Sequence, residues 1–176
     1  IVSDPPWAYY GQQDKWAAAA KFYDTLSESE LVEVARPPLA PRGVLFLWAT
    51  GPKLDTALRL IDRWGLHYRG IAFVWVKTTI AGIPWKARGV RPSIVKPITE
   101  FVVAASPVRT GRPMPLACES VPQTVFAPTR EHSRKPDEVQ FRIEQLYPQA
   151  RKLEMFARYH RHGWDQIGHE LEVGNG

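Results

Sequence analysis

The stretch Ile1-Val2-Ser3-Asp4-Pro5-Pro6-Trp7 joins a short apolar run to an acidic, proline-rich turn. Its first three residues resemble the end of a buried strand, and the prolines that follow would stop that strand. Open α/β sheets bind their ligands outside the carboxyl ends of their strands. If the rest of the chain forms such a sheet, Asp4 lies at its ligand site.

Further apolar runs along the chain have the length and composition of buried strands. They span residues 43–48, 71–76, 100–104 and 152–157, and the last of these carries the charge of Glu154 within it. Helical patterns separate these runs. Strands that alternate with helices indicate an α/β fold with a mostly parallel sheet.

Each helical pattern has its own start or stop signal. Ser27-Glu28-Ser29-Glu30 has the form of a capping box. Pro52 can occupy the first turn of a second helix, which Gly65 can close. Pro136 opens a third pattern, and Pro148 ends it.

Composition indicates one basic globular domain over residues 1–176, and we expect upstream residues to be missing because the chain does not begin with Met. The net charge of +5 and the pI near 9.5 favour a polyanionic partner, although a basic protein without one is the alternative. Cys118 is the single cysteine, and no apolar run reaches the length of a membrane helix. We therefore expect a cytoplasmic protein without membrane association.

Two long segments, residues 78–97 and 106–136, lack clear periodicity and are rich in Pro, Gly and basic residues. Loops of this length in a compact domain are often functional. In the first segment, Lys86, Arg88 and Arg91 lie beside a tryptophan, a combination that can contact phosphates and stack on a base. The second carries Arg109, Arg112, Arg130 and Arg134. A solvated basic surface is the alternative for both segments.

The tetrad Asp4-Pro5-Pro6-Trp7 has the groups that chemistry at an exocyclic adenine amine requires. That nitrogen is a poor nucleophile because its lone pair is delocalised into the ring. An acidic side chain and a proline carbonyl can each accept one of its N–H bonds, which favours a pyramidal nitrogen. The Trp7 ring can stack on the base. For the tetrad alone, a structural turn is the alternative.

Other segments form an ordered set with the tetrad. They are residues 22–27, 45–50, 64–65, 75–78, 132–138, 152–158 and 163–165. With this set the sequence resembles, over almost its full length, the nucleic-acid adenine N6-methyltransferases typified by the catalytic subunit of the eukaryotic messenger-RNA adenosine methyltransferase, with bacterial and phage relatives. The resemblance implies a Rossmann-like class I methyltransferase sheet in permuted motif order, with helices on both faces, and S-adenosylmethionine as cofactor.

The resemblance also implies roles for individual residues. In Asp4-Pro5-Pro6-Trp7, the catalytic motif, the acid would contact both the adenine amine and the methionine part of the cofactor. Lys135 matches a lysine that meets the cofactor carboxylate. The other cofactor-binding matches are Arg158, Arg161, His169 and Glu170, and His169 stands where the family usually has Asn. Tyr23 matches a substrate-loop tyrosine, so the expected substrate-binding residues are Trp7, Tyr23, Lys86, Arg88 and Arg91.

These residues indicate an enzyme that methylates adenine N6 on a base that is single-stranded or flipped from a duplex. DNA is favoured over RNA because the compact chain, rich in Ala, Arg and Pro, resembles the bacterial and phage branch. His160, His162 and His169 match no standard ligand spacing, so we expect no metal.

The resemblance leaves a homodimer or a paralogous partner subunit open. The alternative functions are a catalytically silent paralogue that scaffolds an active partner and a nucleic-acid-binding module without catalysis. The intact tetrad argues against the first alternative, and the cofactor-site matches argue against the second.

Overall fold

The computed structural model describes residues 1–7, 26–86, 94–130 and 134–168. Its strands are β1 (Val2–Ser3), β2 (Leu45–Thr50), β3 (His67–Thr78), β4 (Thr99–Ser106), β5 (Thr124–Pro128), β6 (Leu153–Met155) and β7 (Asp165–Ile167). Its helices are α1 (Glu28–Val34), α2 (Leu54–Arg63) and α3 (Asp137–Leu146), and the 3₁₀ turn Gly51–Lys53 precedes α2. The strands form one seven-stranded sheet in the order β5-β3-β4-β2-β1-β6-β7.

The short strand β1 lies between two parallel neighbours, because Val2 pairs with Phe46 of β2 and with Glu154 of β6. Strand β7 runs parallel to β6, and β5 runs parallel to β3. Among the described strands, β4 alone runs the other way, antiparallel to both β2 and β3. The carboxyl ends of β1, β2, β3 and β6 therefore lie at the same end of the sheet as the amino end of β4. The predicted α/β fold with a mostly parallel sheet is confirmed.

Helices cover both faces of this sheet. Successive side chains of a strand point to opposite faces, and β2 shows the consequence. Phe46 and Trp48 pack with Val139 of α3 in one core cluster. Leu45 and Leu47 pack with residues of α1 and α2 in the other. The prediction of helices on both faces is confirmed.

The predicted helix ends also form. The Glu30 carboxylate accepts from the Ser27 N–H at 2.7 Å, and the Ser27 hydroxyl accepts from the Glu30 N–H at 3.4 Å, so the capping box is present. Helix α2 is closed by Gly65 with φ of 70°, a left-handed conformation that costs glycine little.

Two strands were not among the predicted elements. Strand β5 lies inside segment 106–136, for which no periodicity was recognised, and β7 lies near the end of the described chain. Both are short edge strands. Pro128 at the end of β5 argues against a central strand but is tolerated at a sheet edge, which explains why the sequence pattern alone did not reveal it.

Candidate active site

A cleft of about 230 Å³ opens at the carboxyl ends of β1 and β6. Acidic, basic and aromatic side chains from different elements line it, including Asp4, Trp48, Lys135, Glu154, Arg158 and Tyr159. Asp4 follows β1 directly, and Lys135 lies just before α3. The topology therefore places a carboxylate and an ammonium group in one cleft although they are far apart in sequence.

Backbone hydrogen bonds hold the Asp4-Pro5-Pro6-Trp7 tetrad in a tight turn after β1. The Trp7 N–H donates to the Pro5 carbonyl at 2.9 Å, and the Leu26 N–H donates to the Pro6 carbonyl at 2.9 Å. The first of these bonds spans a three-residue turn, and the proline rings fix φ at the first two residues of that turn. Each carbonyl oxygen keeps a second lone pair, so it can still accept a further N–H.

The Trp7 ring lies in the core, with 6% of the residue exposed. Its indole N–H donates to the Trp48 carbonyl at 3.2 Å, and the ring packs in the cluster that contains Leu31 of α1. This differs from the expected base-stacking role, because in this conformation the ring offers no free face. Burial against the β2 backbone satisfies both the large apolar surface of the indole and its single donor. Trp7 therefore anchors the tetrad.

Four charged side chains form one connected set of ion pairs, which includes the cleft residues Asp4 and Lys135. The Lys135 ammonium lies 3.2 Å from the Asp4 carboxylate and 3.1 Å from that of Glu100. Glu100 also pairs with the Lys77 ammonium at 2.6 Å. The sheet register explains this meeting, since Glu100 at the amino end of β4 lies opposite Thr50, the last residue of β2. Lys77 follows nearby at the end of β3.

Asp4, Glu100 and Lys135 have shifted pKa values. Burial raises the pKa of Glu100, but the nearby Lys135 and Lys77 ammonium groups outweigh that effect, and the pKa lies below its usual range. Burial likewise raises the pKa of Asp4; Lys135 opposes the rise and the charge of Glu100 adds to it, so the net shift is upward. Burial alone would lower the pKa of Lys135, yet the two carboxylates raise it. Asp4 is therefore the acid that takes up a proton more readily.

A third acid, Glu154 of β6, faces the same cleft. Burial raises its pKa to about 7, and the negative charge of Asp4 adds to the rise. The Gln140 amide of α3 donates to its carboxylate at 3.3 Å and partly opposes the shift. The cleft thus contains an acid that titrates near neutral pH.

Arg161 and Arg158, both expected to bind the cofactor, line the cleft as well. The Arg161 guanidinium is 17% exposed, donates to Glu144 at 3.0 Å and stacks over Phe141 at 4.5 Å. These contacts brace α3 against the segment that follows β6. Arg161 and Arg158 both border the cleft, and their roles toward the cofactor stay predictions.

Among the remaining predicted site residues, the structure describes Lys86. Lys86 is exposed at the end of a described segment. Tyr23, Arg88, Arg91, His169 and Glu170 lie outside the described residues. Within the described ranges, no three His, Cys, Asp or Glu side chains are grouped in a way that could hold a metal ion.

Sequence reasoning did not assign roles to Gln140 and Glu154, which line the cleft, or to Glu100 and Lys77, which extend the ion pair of Lys135. Three of them carry charges within or beside apolar strands. Charged residues are rarely buried unless they are paired, so a charge in a buried strand is a usable signal. No comparable signal marks Gln140, because a glutamine in an amphipathic helix is ordinary.

Comparison with known proteins finds relatives over almost the whole chain. The MT-A70 family model matches residues 1–170. The Type II methyltransferase M.MunI of Mycoplasma sp is 31% identical over an alignment of 190 residues, which covers 97% of this chain and 76% of that protein.

Eukaryotic relatives are similar over the same region. The N(6)-adenosine-methyltransferase MT-A70-like of Arabidopsis thaliana is 30% identical, with 97% of this chain and 23% of that protein covered. The human N(6)-adenosine-methyltransferase catalytic subunit METTL3 is 29% identical, with 98% and 28% covered. The chain spans about a quarter of the length of these two relatives. It belongs to the MT-A70 family, whose methyltransferases have a class I methyltransferase-like fold and use S-adenosylmethionine as methyl donor.

Proposed function

We propose that this chain transfers a methyl group from S-adenosylmethionine to the exocyclic N6 amine of adenine in DNA. The observation that carries the proposal is the position of Asp4. It follows the central strand β1 within the Asp4-Pro5-Pro6-Trp7 turn and lies 3.2 Å from Lys135 at the cleft. Relatives named for N(6)-adenosine methylation support the N6 amine as acceptor.

The donor set of the cleft fits the cofactor. S-adenosylmethionine carries a carboxylate, an ammonium group and a sulfonium. Lys135 offers a cation for the carboxylate, and Asp4 and Glu154 offer acceptors and negative charge for the positive groups. When bound, the cofactor supplies an electrophilic methyl group.

Asp4 is suited to hold the adenine amine and to accept its proton. As a carboxylate it accepts one N–H of the amine, and a tetrad carbonyl can accept the other through its second lone pair. The nitrogen loses a proton when it is methylated, and the Asp4 Oδ atoms are the proposed acceptor. A general base is more effective when its pKa lies closer to the working pH, and the pKa of Asp4 is shifted upward.

The Type II methyltransferase M.MunI, a DNA-type enzyme that is similar to 97% of this chain, supports the choice of DNA. The relatives named for adenosine, which is the ribonucleoside, make RNA the alternative substrate.

We expect an adenine-containing DNA oligonucleotide to accept labelled methyl groups, and the same oligonucleotide with N6-methyladenine at every adenine to accept few more. Incorporation of radiolabelled methyl groups measures both. Equal incorporation into the two oligonucleotides would rule out adenine N6 as the target. Activity on the matching RNA alone would overturn the choice of DNA.

The basic segment after β3 is proposed to contact the nucleic-acid backbone. Replacing Lys86, Arg88 and Arg91 together by Ala should reduce the slope of log affinity against log salt concentration by about 2 to 3 units, because fewer counterions are released. The KM for DNA should rise. Fluorescence anisotropy at several salt concentrations measures the slope, and cofactor affinity is the control that should not change. An unchanged slope would show that these cations do not meet phosphates.

A cytoplasmic location and a homodimer or paralogous partner subunit are further proposals. Light scattering on the purified chain, alone and with candidate paralogues, tests the second. Among the helices of the described ranges, none has the length and apolar character needed to cross a membrane.

A further inference from the structure

An amide oxygen in the wall of the cleft lies buried without a partner. Gln140 of α3 is 5% exposed and lines the cleft. Its Oε1 atom has no hydrogen-bond partner among the described residues. A buried acceptor left unsatisfied costs about 1–3 kcal/mol, so folded proteins keep few of them. This oxygen therefore indicates a ligand group that donates a hydrogen bond.

Glu154 lies beside this amide. The Gln140 Nε2 atom donates to the Glu154 Oε1 atom at 3.3 Å. When Glu154 is ionised it can only accept hydrogen bonds, so the amide nitrogen faces the carboxylate and the amide oxygen remains for another donor. The two side chains together present an amide oxygen and a carboxylate to one cleft.

A positively charged donor with several N–H bonds matches this pair. A hydroxyl group would satisfy one acceptor but leave the charge of Glu154 uncompensated, whereas a primary ammonium group carries three donors and a positive charge. The other charged groups that act on Glu154 are Asp4, Asp137 and Arg161. Two of these are acids, and Arg161 is already paired with Glu144. The surroundings of Glu154 therefore favour a cation.

We infer that Gln140 and Glu154 bind the α-ammonium group of the cofactor's methionine part, while Lys135 binds its carboxylate. This inference rests on the proposed function. It divides the two charged ends of the amino acid between different elements. Lys135, two residues before α3, holds the carboxylate, and a pair bridging α3 and β6 holds the ammonium group.

Two ligands that differ only in the amine test the inference. S-adenosylhomocysteine and its analogue with hydrogen in place of the α-amino group, 5′-S-(3-carboxypropyl)-5′-thioadenosine, share the carboxylate, thioether and nucleoside. We expect calorimetry to show that the wild-type protein binds the analogue at least about tenfold more weakly. The Glu154→Gln variant should bind the two ligands within about threefold of each other, since a neutral amide gives a charged amine little advantage.

Proton release on ligand binding gives a second signal. With its pKa raised to about 7, Glu154 carries a proton in about half of the free molecules at pH 7. An ammonium ligand favours the carboxylate and expels that proton. We expect S-adenosylhomocysteine to release about half a proton per molecule bound at pH 7 and close to none at pH 8, measured from binding enthalpies in buffers of different ionisation enthalpy. The amine-free analogue should release far less.

Asp4 also lies at the cleft with a raised pKa, so the Glu154→Gln variant is needed to assign the proton. Its release should disappear in that variant and persist in Glu119→Gln, a matched control at an exposed glutamate paired with Arg112. Gln140→Leu should also lower the affinity for S-adenosylhomocysteine more than that for the analogue.

The outcomes separate this inference from the proposed function. Equal binding of both ligands by the wild-type protein, or full discrimination kept by Glu154→Gln, would overturn the inference and leave the proposed function standing. A wild-type protein that binds neither ligand would overturn both. Thermal unfolding shows whether the Glu154→Gln variant folds. If it does not fold, the affinities of the two ligands for the wild-type protein and for Gln140→Leu decide the question.

Discussion

Replacing Asp4 by Asn should lower the rate of methyl transfer at least about a hundredfold, because loss of one preorganised acceptor at a reacting centre costs roughly that much. The variant keeps the size of the side chain but removes its charge and one acceptor. The Asp4 side chain is 27% exposed and pairs with Lys135, which retains Glu100 as a partner. The fold should therefore persist, and radiolabelled methyl incorporation under saturating cofactor measures the loss.

A matched substitution at the opposite end of the sheet serves as control. Asp165 begins β7 and pairs with Arg151 at 3.2 Å, with both side chains largely exposed. The Asp165→Asn variant should keep nearly all activity. Asp4→Asn activity above one tenth of the wild-type value would contradict a central role for this carboxylate. The Asp4→Ala variant should lose methyl transfer activity to a similar extent.

The paired charges at the cleft explain how Lys135 can serve a ligand while remaining buried. Two carboxylates and two ammonium groups form one connected set of ion pairs around Lys135. The Lys77 ammonium lies 2.6 Å from the Glu100 carboxylate, so Glu100 has a cationic partner besides Lys135. When a cofactor carboxylate approaches, Lys135 can interact with it without leaving Glu100 unpaired in a buried position, which would be costly.

Much of the fold follows from sequence because local signals and core packing agree. Several elements could be predicted from a few consecutive residues each. They are the capping box before α1, the glycine that closes α2 and the apolar runs of β2 and β4. Strands β5 and β7 were not, since they have few residues, lie at edges and take their pairing from neighbours. The antiparallel direction of β4 is also set by pairing that no local pattern encodes.

The site was only partly predictable for the same reason. Asp4 and Lys135 were predicted from the resemblance, and the structure places them 3.2 Å apart. Glu100 joins them because of the register between β4 and β2, which is a long-range property. The burial of Trp7 likewise depends on the β2 backbone that its indole meets.

Replacing Lys135 by Met should weaken cofactor binding and destabilise the fold at neutral pH. The cofactor carboxylate would lose its charged partner in a partly desolvated site, which costs about 2 kcal/mol or more, or about thirtyfold in affinity. In the unliganded protein, Asp4 would lose its ammonium partner and Glu100 would keep only Lys77. Breaking a buried pair costs about 3 kcal/mol, and the partial exposure of Asp4 places the expected loss of unfolding free energy at or below that value.

The pH dependence of that loss gives the decisive measurement. Without Lys135, the pKa of Asp4 rises further above its value in the unfolded chain, since burial and the charge of Glu100 both raise it. The folded state then binds more protons than the unfolded state, so stability increases as the pH falls. In the wild-type protein the lowered pKa of Glu100 contributes stability that is present throughout the range from pH 7 to pH 5 and is lost only below the ordinary pKa of glutamate. The difference between the two proteins should therefore shrink from pH 7 to pH 5.

Urea unfolding at these two pH values, together with calorimetric titration of S-adenosylhomocysteine, measures both effects. Lys86→Met, at an exposed lysine, is the matched control and should leave the free energy of unfolding and the cofactor affinity unchanged. Affinity of Lys135→Met within twofold of the wild-type value would show that Lys135 does not meet the cofactor carboxylate. A stability deficit that stays constant or grows toward pH 5 would show that the loss does not come from unpaired carboxylates at the cleft, because protonation relieves only that kind of loss.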